Sequence, residues 1–340
     1  MPVRQLLVMF ILGIFLSACG NVIPQIDRKT KLKNALDISE GLATDSFNYL
    51  TTSLNNGTIT NAVVLKSYAA AATSKKPEFK DIIDVLASEG SVRGPTYLSI
   101  KTRLETARKK ITTVLDDIQT AQSLTTELDN INSATKDYDA MLVDAINVLS
   151  DFTDGDLPKL RELEYSGEAQ ASAPIGSEYV GNTNYGQWQQ RSNGTSFWAF
   201  YGQYAMFSRL FSSPMSYGGW SNNRRPSYYH DYGRNTYSST SGRANQNQAL
   251  QRTKKQYSSQ GKTFKSSYAR SKPTLKGSAG GTKPTFKSSY ARKSSGAGTT
   301  SSYAKTQSGN ARSTAVNTSS RSSSYNSRSS SRGRSSFGGK

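Results

Sequence analysis

The stretch Leu104-Glu-Thr-Ala107-Arg-Lys-Lys-Ile111-Thr-Thr-Val114-Leu-Asp-Asp-Ile118-Gln-Thr-Ala121-Gln-Ser-Leu-Thr125-Thr-Glu-Leu128 carries the clearest pattern in the chain. Its numbered positions are apolar, Thr125 excepted, and they alternate spacings of three and four. One face of an α-helix recurs at that interval, so the stretch reads as helix with an a/d-type seam, opening after Gly94-Pro95. The pattern predicts one long, coiled-coil-like helix. A break at Asn130–Ser133 is expected to separate it from a final helix holding Tyr138, Met141, Leu142, Ala145, Leu149 and Phe152, with one continuous helix as the alternative. At this short length the seam is expected to pack on neighbouring helices of the same chain, with self-association through the seam as the alternative.

The same period extends towards the N-terminus. Leu32, Leu36, Ala43, Phe47, Leu50 and Leu54 lie on one face, and Asn56-Gly57 ends it. A second helix runs from Thr60 to Thr73 through Val63, Val64 and Tyr68. A third opens at Pro77, a residue suited to the first helical position, and carries Phe79, Ile82, Ile83 and Leu86 towards Gly90. Strand signals are nearly absent. Residues 27–164 are therefore expected to fold as an all-α helical bundle of four to six helices. Near its end, Asp151-Phe-Thr-Asp154-Gly-Asp156 places Glu162 at the twelfth position of a calcium loop. Thr153 and Gly155 stand where oxygen ligands belong, however, and Asp156 stands where the turn needs Gly. The segment reads as a helix stop with solvated acids.

Charge divides the chain sharply. It has 340 residues, 43 Lys/Arg, 24 Asp/Glu and a formal net charge of +19. Residues 1–170 hold 18 basic and 22 acidic side chains, whereas residues 171–340 hold 25 basic ones and two acids, Glu178 and Asp231. Such asymmetry marks an interaction tail for a polyanion. One Cys excludes an internal disulfide framework. With a single His, His230, it also excludes metal sites built from several Cys or His ligands. A Ser–His–Asp site could use only His230, in a Tyr/Gly/Arg-rich stretch poorly suited to hold it rigidly. No phosphate loop or nucleophile–base set stands out, so no enzyme and no cofactor is expected.

The first twenty residues address the compartment. Arg4 is followed by the apolar run Leu6–Leu16, the length of a signal-peptide core and too short to span a bilayer. The run ends in Leu16-Ser17-Ala18-Cys19, which resembles the lipobox of bacterial lipoproteins. That resemblance implies cleavage between Ala18 and Cys19 and acylation of Cys19. Residues 1–18 would be the signal peptide and 19–26 a lipidated tether. Two or three acyl chains anchor stably where one does not. By the family's sorting rule, Gly20 after the Cys implies the periplasmic face of the outer membrane.

Residues 165–237 read as a linker and an aromatic, Tyr/Gly-rich segment. Phe197, Phe200, Tyr204, Phe207 and Phe211 are spaced for one face of a short helix, Ser196–Phe211, widened by Trp198. It would dock on the bundle, pair with another copy, or lie in the membrane interface, where Trp and Tyr are favoured. Residues 238–340 lack acids and read as a disordered tail rich in Ser, Arg and Lys. The tail contains tandem 11-mers, and the block Thr-Phe-Lys-Ser-Ser-Tyr-Ala-Arg stands identically at 263–270 and 285–292. Its candidate polyanion-binding residues are Lys262, Lys265, Arg270, Lys283, Lys287, Arg292, Arg321, Arg328, Arg332 and Arg334. Expected partners are the lipid bilayer and an anionic envelope polymer or surface: lipopolysaccharide, anionic lipid or peptidoglycan. Nucleic acid, suited to the Arg/Ser runs, is disfavoured by the export signal. Ser196-Phe197-Trp198, Arg209-Leu210 and the Tyr/Gly-rich and Ser/Arg/Gly-rich stretches resemble the YgiB-type bacterial lipoproteins over 195–340, which implies no assigned activity. The terminal Lys340 offers a point for covalent attachment to peptidoglycan, as in some outer-membrane lipoproteins.

Overall fold

Helix α1 (Gln25–Asn55) buries Leu36, Ala43, Leu50 and Leu54, with Leu32 and Phe47 packed beside them. This is the stripe that the sequence period requires. The computed structural model describes residues 25–160, 163–164, 173–269 and 274–275. Helix α1 lies along α5 (Ile118–Lys136), which also packs on α4 (Pro95–Lys110). Helix α2 (Thr60–Lys75) packs on α3 (Lys80–Ser88) and on α7 (Val143–Phe152), and the short α6 (Tyr138–Met141) joins α5 to α7.

The long seam is not one helix. Helix α4 ends at Lys110, a turn follows, and α5 opens at Ile118. The cause is Asp117, whose carboxylate accepts hydrogen bonds from the backbone N–H of Gln119 (3.0 Å) and Thr120 (3.3 Å). Those donors are orphaned at any helix start, and an Asp cap satisfies them. Leu104, Ala107, Val114, Ala121, Thr125 and Leu128 are all buried, so the chain folds back on itself and the seam is filled from within. Helix α5 continues unbroken through Asn130–Ser133, because Ile131, Ala134 and Thr135 prolong its buried stripe. The break falls at Asp137 instead.

Helices dominate the fold, but it also has small antiparallel sheets. The pair β1 (Leu163–Glu164) and β4 (Thr274–Leu275) is very short, and β2 (Gly186–Gln190) pairs with β3 (Ser196–Phe200). The helix expected over Ser196–Phe211 is therefore a strand followed by the 3-10 turn Gly202–Leu210. Ser192-Asn193-Gly194 turns the chain, Gly194 adopts φ +82°, and Ser196 and Trp198 alternate inward as a strand demands. Gly186 allows the pairing, since a Cβ there would lie 2.3 Å from the Ala199 carbonyl oxygen.

Beyond the hairpin come α8 (Tyr217–Asn223), a π-helical turn at Tyr229–Gly233, α9 (Arg234–Tyr237) and α10 (Thr240–Ser259). Disorder expected from Ser238 onward is thus corrected over the described part. Helix α10 is capped by Ser239, adds Ala249, Leu250 and Tyr257 to the aromatic core, and is held by polar contacts as well. Asn245 accepts from the Trp188 N–H (2.8 Å) and donates to the Trp188 carbonyl (2.9 Å), while Gln246 donates to the Gly181 carbonyl (2.8 Å).

The helical and aromatic parts share one core, in which Tyr179, Tyr185, Phe207, Tyr228, Tyr229 and Tyr237 join the aliphatic residues of the bundle. Buried Glu89 is the clearest joint. Its carboxylate accepts from the N–H (3.1 Å) and hydroxyl (2.8 Å) of Thr96 at the start of α4, and from the Tyr185 hydroxyl (2.5 Å). A carboxylate belongs there because a helix N-terminus favours negative charge. Burial nevertheless raises its pKa, with those hydrogen bonds opposing. Gly94 makes room, since a Cβ would lie 2.7 Å from Glu89 Cα.

Of the acids at the end of α7 and beyond it, Asp154 and Asp156 are exposed, as expected, whereas Asp151 is not. Asp151 is largely buried and paired with Lys159 (2.8 Å) and Arg225, while Asp154 and Asp156 pair with Lys76 (3.0 Å) and Lys75 (2.7 Å). Among the described residues no helix is long and apolar enough to cross a membrane.

Candidate functional site

Strands β2 and β3 bring Trp188 opposite Trp198, with ring centroids 5.2 Å apart and nearly edge to face. Trp188 also meets Tyr217 (4.8 Å) and Trp220 (5.4 Å), which arrive on α8. Edge-to-face packing sets the positive rim of one ring against the negative face of the next. This second core lies under the loop Phe211–Ser216, which is stitched to β3 by the Trp198 N–H donating to the Met215 carbonyl (2.9 Å).

Two open grooves flank that loop. The first, of about 450 Å³, is walled by Phe197, Trp198, Phe200, Phe211 and Met215, with Ser208 beside them. The second, of about 490 Å³, carries Ser177, Arg191, Trp220 and Arg224. Arg191 stands over the Phe197 ring at 5.1 Å. The Nε1–H groups of Trp188 and Trp198 are buried and have no acceptor among the described residues. Buried donors of this kind are rare in folded proteins.

His230 is more ordered than its Tyr/Gly/Arg-rich surroundings implied. It is buried, its Nε2 lies 3.0 Å from the Glu178 carbonyl oxygen, and its Nδ1 lies 2.9 Å from the Tyr268 hydroxyl. Burial drives its pKa well below the usual value, and the Arg224 charge adds to this. The ring is therefore neutral, with Nε2–H donating to the carbonyl and the Tyr268 hydroxyl donating to Nδ1. Both nitrogens are committed, so His230 is not set up as a base for a nucleophile. Beside it, Arg224 and Asp231 form a buried ion pair, which Arg224 Nη1 extends at 3.2 Å.

Two further buried acids lie nearby. Burial pushes the Asp144 pKa up to about 8, although its carboxylate accepts from the N–H of Tyr229 (2.9 Å) and Tyr228 (2.6 Å). Burial likewise pushes Glu178 up to about 7, with the Arg225 charge opposing. Among the described residues no group of three or more His, Cys, Asp or Glu could hold a metal ion.

The aromatic residues singled out from sequence fall into separate sets. Phe207 and Trp198 are buried in protein. Tyr204 packs its ring 5.0 Å from Tyr185 and is half-buried. Phe197, Phe200 and Phe211 keep partial exposure in the first groove. Of the candidate polyanion-binding residues, Lys262 and Lys265 are exposed on either side of buried Phe264. Arg270, Lys283, Lys287, Arg292, Arg321, Arg328, Arg332 and Arg334 lie outside the described residues, as do Ala18, Cys19 and Lys340. Sequence reasoning placed Trp188 and Trp220 only in the aromatic segment at large, and it missed Met215 and the pairing of Arg224 with Asp231. The Asn193-Gly194 turn between two short aromatic runs was a signal that could have found the hairpin.

Compared with protein-family models, curated proteins and solved structures, the chain matches none of them. The likenesses to lipoproteins rest on the residues quoted for them.

Proposed function

We propose that the chain is an exported lipoprotein, held to the envelope through acylated Cys19, whose folded body is a non-enzymatic scaffold for a cationic tail that binds anionic envelope polymers. The observation that carries this is how charge divides around the folded part. Residues 25–269 hold 28 Lys/Arg and 24 Asp/Glu, whereas residues 270–340 hold 14 Lys/Arg and no acid. Within the body many charges are spent on one another, as in Arg103–Glu127, Arg224–Asp231 and Arg225–Asp151. The tail has no acids with which to do the same. Five residues separate Cys19 from α1 and span at most about 20 Å, which keeps the body close to an anchoring surface.

Contact with polyanions through Lys and Arg releases counterions, so affinity should fall steeply with salt. The test uses the full chain and a full-length variant in which Arg270, Lys283, Lys287, Arg292, Arg321, Arg328, Arg332 and Arg334 are Gln. Binding to lipopolysaccharide micelles and to peptidoglycan is titrated from low to high salt. The wild type is expected to lose affinity by more than tenfold, and the variant to bind weakly throughout. Equal, salt-independent binding by both would refute the tail's role. Intact mass and membrane fractionation of wild type and Cys19→Ala test the anchor.

A further inference from the structure

The first copy of the repeated octapeptide, Thr263–Arg270, is docked on the body as far as the structure describes it. Phe264 is buried, with its ring centroid 4.9 Å from Tyr257 and 6.1 Å from Tyr217. The backbone N–H of Ser267 donates to the Ser221 hydroxyl (2.8 Å). Tyr268 places its hydroxyl on His230 Nδ1 and its ring under the Arg234 guanidinium, 4.1 Å from ring centre to Cζ. Lys265, between these anchors, is exposed. Two aromatic anchors, a backbone hydrogen bond and a cation–π contact make a recognition socket for a peptide, not a chance contact of a tail.

Every one of those contacts is made by a residue that the chain carries twice. Phe264, Ser267 and Tyr268 recur as Phe286, Ser289 and Tyr290 within Thr285–Arg292, which matches the first block at all eight positions. We infer that the socket lined by Tyr217, Ser221, His230, Arg234 and Tyr257 takes either copy, so that the tail docks in two registers 22 residues apart. The occupant in the second register is Thr285–Arg292 of the same chain. The near copy follows α10 almost directly, whereas the distal copy must close a longer loop, which lowers its occupancy roughly tenfold. The near register therefore dominates, and the distal one takes over when the near copy is lost. Docking the distal copy takes those 22 residues out of the free tail and shortens its reach by up to about 70 Å.

Hydrogen exchange on the full chain tests this with wild type, F264A/Y268A, F286A/Y290A and the variant carrying all four substitutions. In F264A/Y268A, protection is expected to leave 263–270 and to rise about tenfold or more at 285–292. F286A/Y290A should resemble wild type. Thermal unfolding supplies a second readout, in which F264A/Y268A melts above the four-site variant because the distal copy still fills the socket. Unchanged exchange at 285–292 in F264A/Y268A overturns the proposal. So does a melt no higher than that of the four-site variant, including the case where both fail to fold. Protection that appears only with concentration-dependent dimers assigns the second copy to a neighbouring chain and overturns the single-chain register. None of these outcomes bears on the charge argument for the tail.

Discussion

The bundle and the aromatic half bury their side chains by different rules. Helix α5 presents Ala121, Leu124, Leu128, Ile131 and Ala134, a stripe with no polar group beyond the hydroxyls of Thr125 and Thr135. The aromatic half is built around Trp188, Tyr217, Trp220 and Tyr229, and its rings come with hydrogen bonds: Trp220 Nε1–H to the Ser177 carbonyl (3.2 Å), the Tyr229 hydroxyl with Ser238 (2.6 Å). Aliphatic packing is tolerant of small shifts, whereas aromatic packing with polar tips fixes both ring position and donor direction. The comparison teaches that half of a core can be written in a periodic code and half in a code of specific partners, and that both can close around one interior.

The strongest way to break that comparison is to remove one anchor from each half. Trp220→Ala deletes a buried ring together with its hydrogen bond to the Ser177 carbonyl, which keeps the Val180 N–H as donor, and should cost about 4 kcal/mol, against about 3 kcal/mol for Leu128→Ala. Because the two halves share a core, helix signal and aromatic signal should be lost together in both variants. Separate transitions in far- and near-ultraviolet circular dichroism would show two independent units.

A second test sharpens it through pH. The unfolded chain releases the Asp144 proton near pH 4, whereas the folded chain holds it up to about 8. Between about pH 6.5 and 8 the folded state therefore binds the extra proton, and stability falls as pH rises, by up to about 1.4 kcal/mol per unit. Below about pH 6.5 the unfolded chain protonates His230 and the folded chain does not, which opposes the trend. Urea midpoints at pH 6.5 and 8 should differ in wild type and differ by less in Asp144→Asn, where the smaller slope of Glu178, held up to about 7, remains. A slope retained in full by that variant would assign the effect elsewhere.

The smallest effect is expected at the surface of the bundle. Arg108 pairs with Glu40 at 2.6 Å while remaining substantially exposed, so Arg108→Ala should change stability by under about 0.5 kcal/mol. A larger loss by urea titration would mean that charge, and not only the stripe, holds α1 to α4.

This contrast also explains what could be read in advance. Leu36, Ala43 and Leu50 announce α1 because nothing competes with a helical period there. The seam from Leu104 to Leu128 kept its period across the turn, so only Asp117, a cap before Ile118, betrayed the break. Phe197, Phe200, Tyr204, Phe207 and Phe211 misled for another reason. In a segment dense with aromatics, spacings of three and four arise without a helix, and the local turn at Asn193-Gly194 decided instead. Helix α10 escaped notice because its buried side is Gln246, Ala249 and Thr253, whose partners lie far away in sequence. Of the candidate site, the aromatic residue types were legible, but their division between core and groove was not.

The joints between the halves also bear on how the chain reaches this state. The Tyr185 hydroxyl finds Glu89 across 96 positions, the Tyr237 hydroxyl finds the Ala134 carbonyl across 103, and Arg103 finds the Thr236 carbonyl across 133. Helical proteins usually fold fast because their contacts are local, and each distant closure adds loop entropy that must be met before the contact forms. This molecule sets the loop closures of a slow, β-rich topology on top of a helical bundle. Its helices can form early, but the interior closes only after residues near position 237 have arrived.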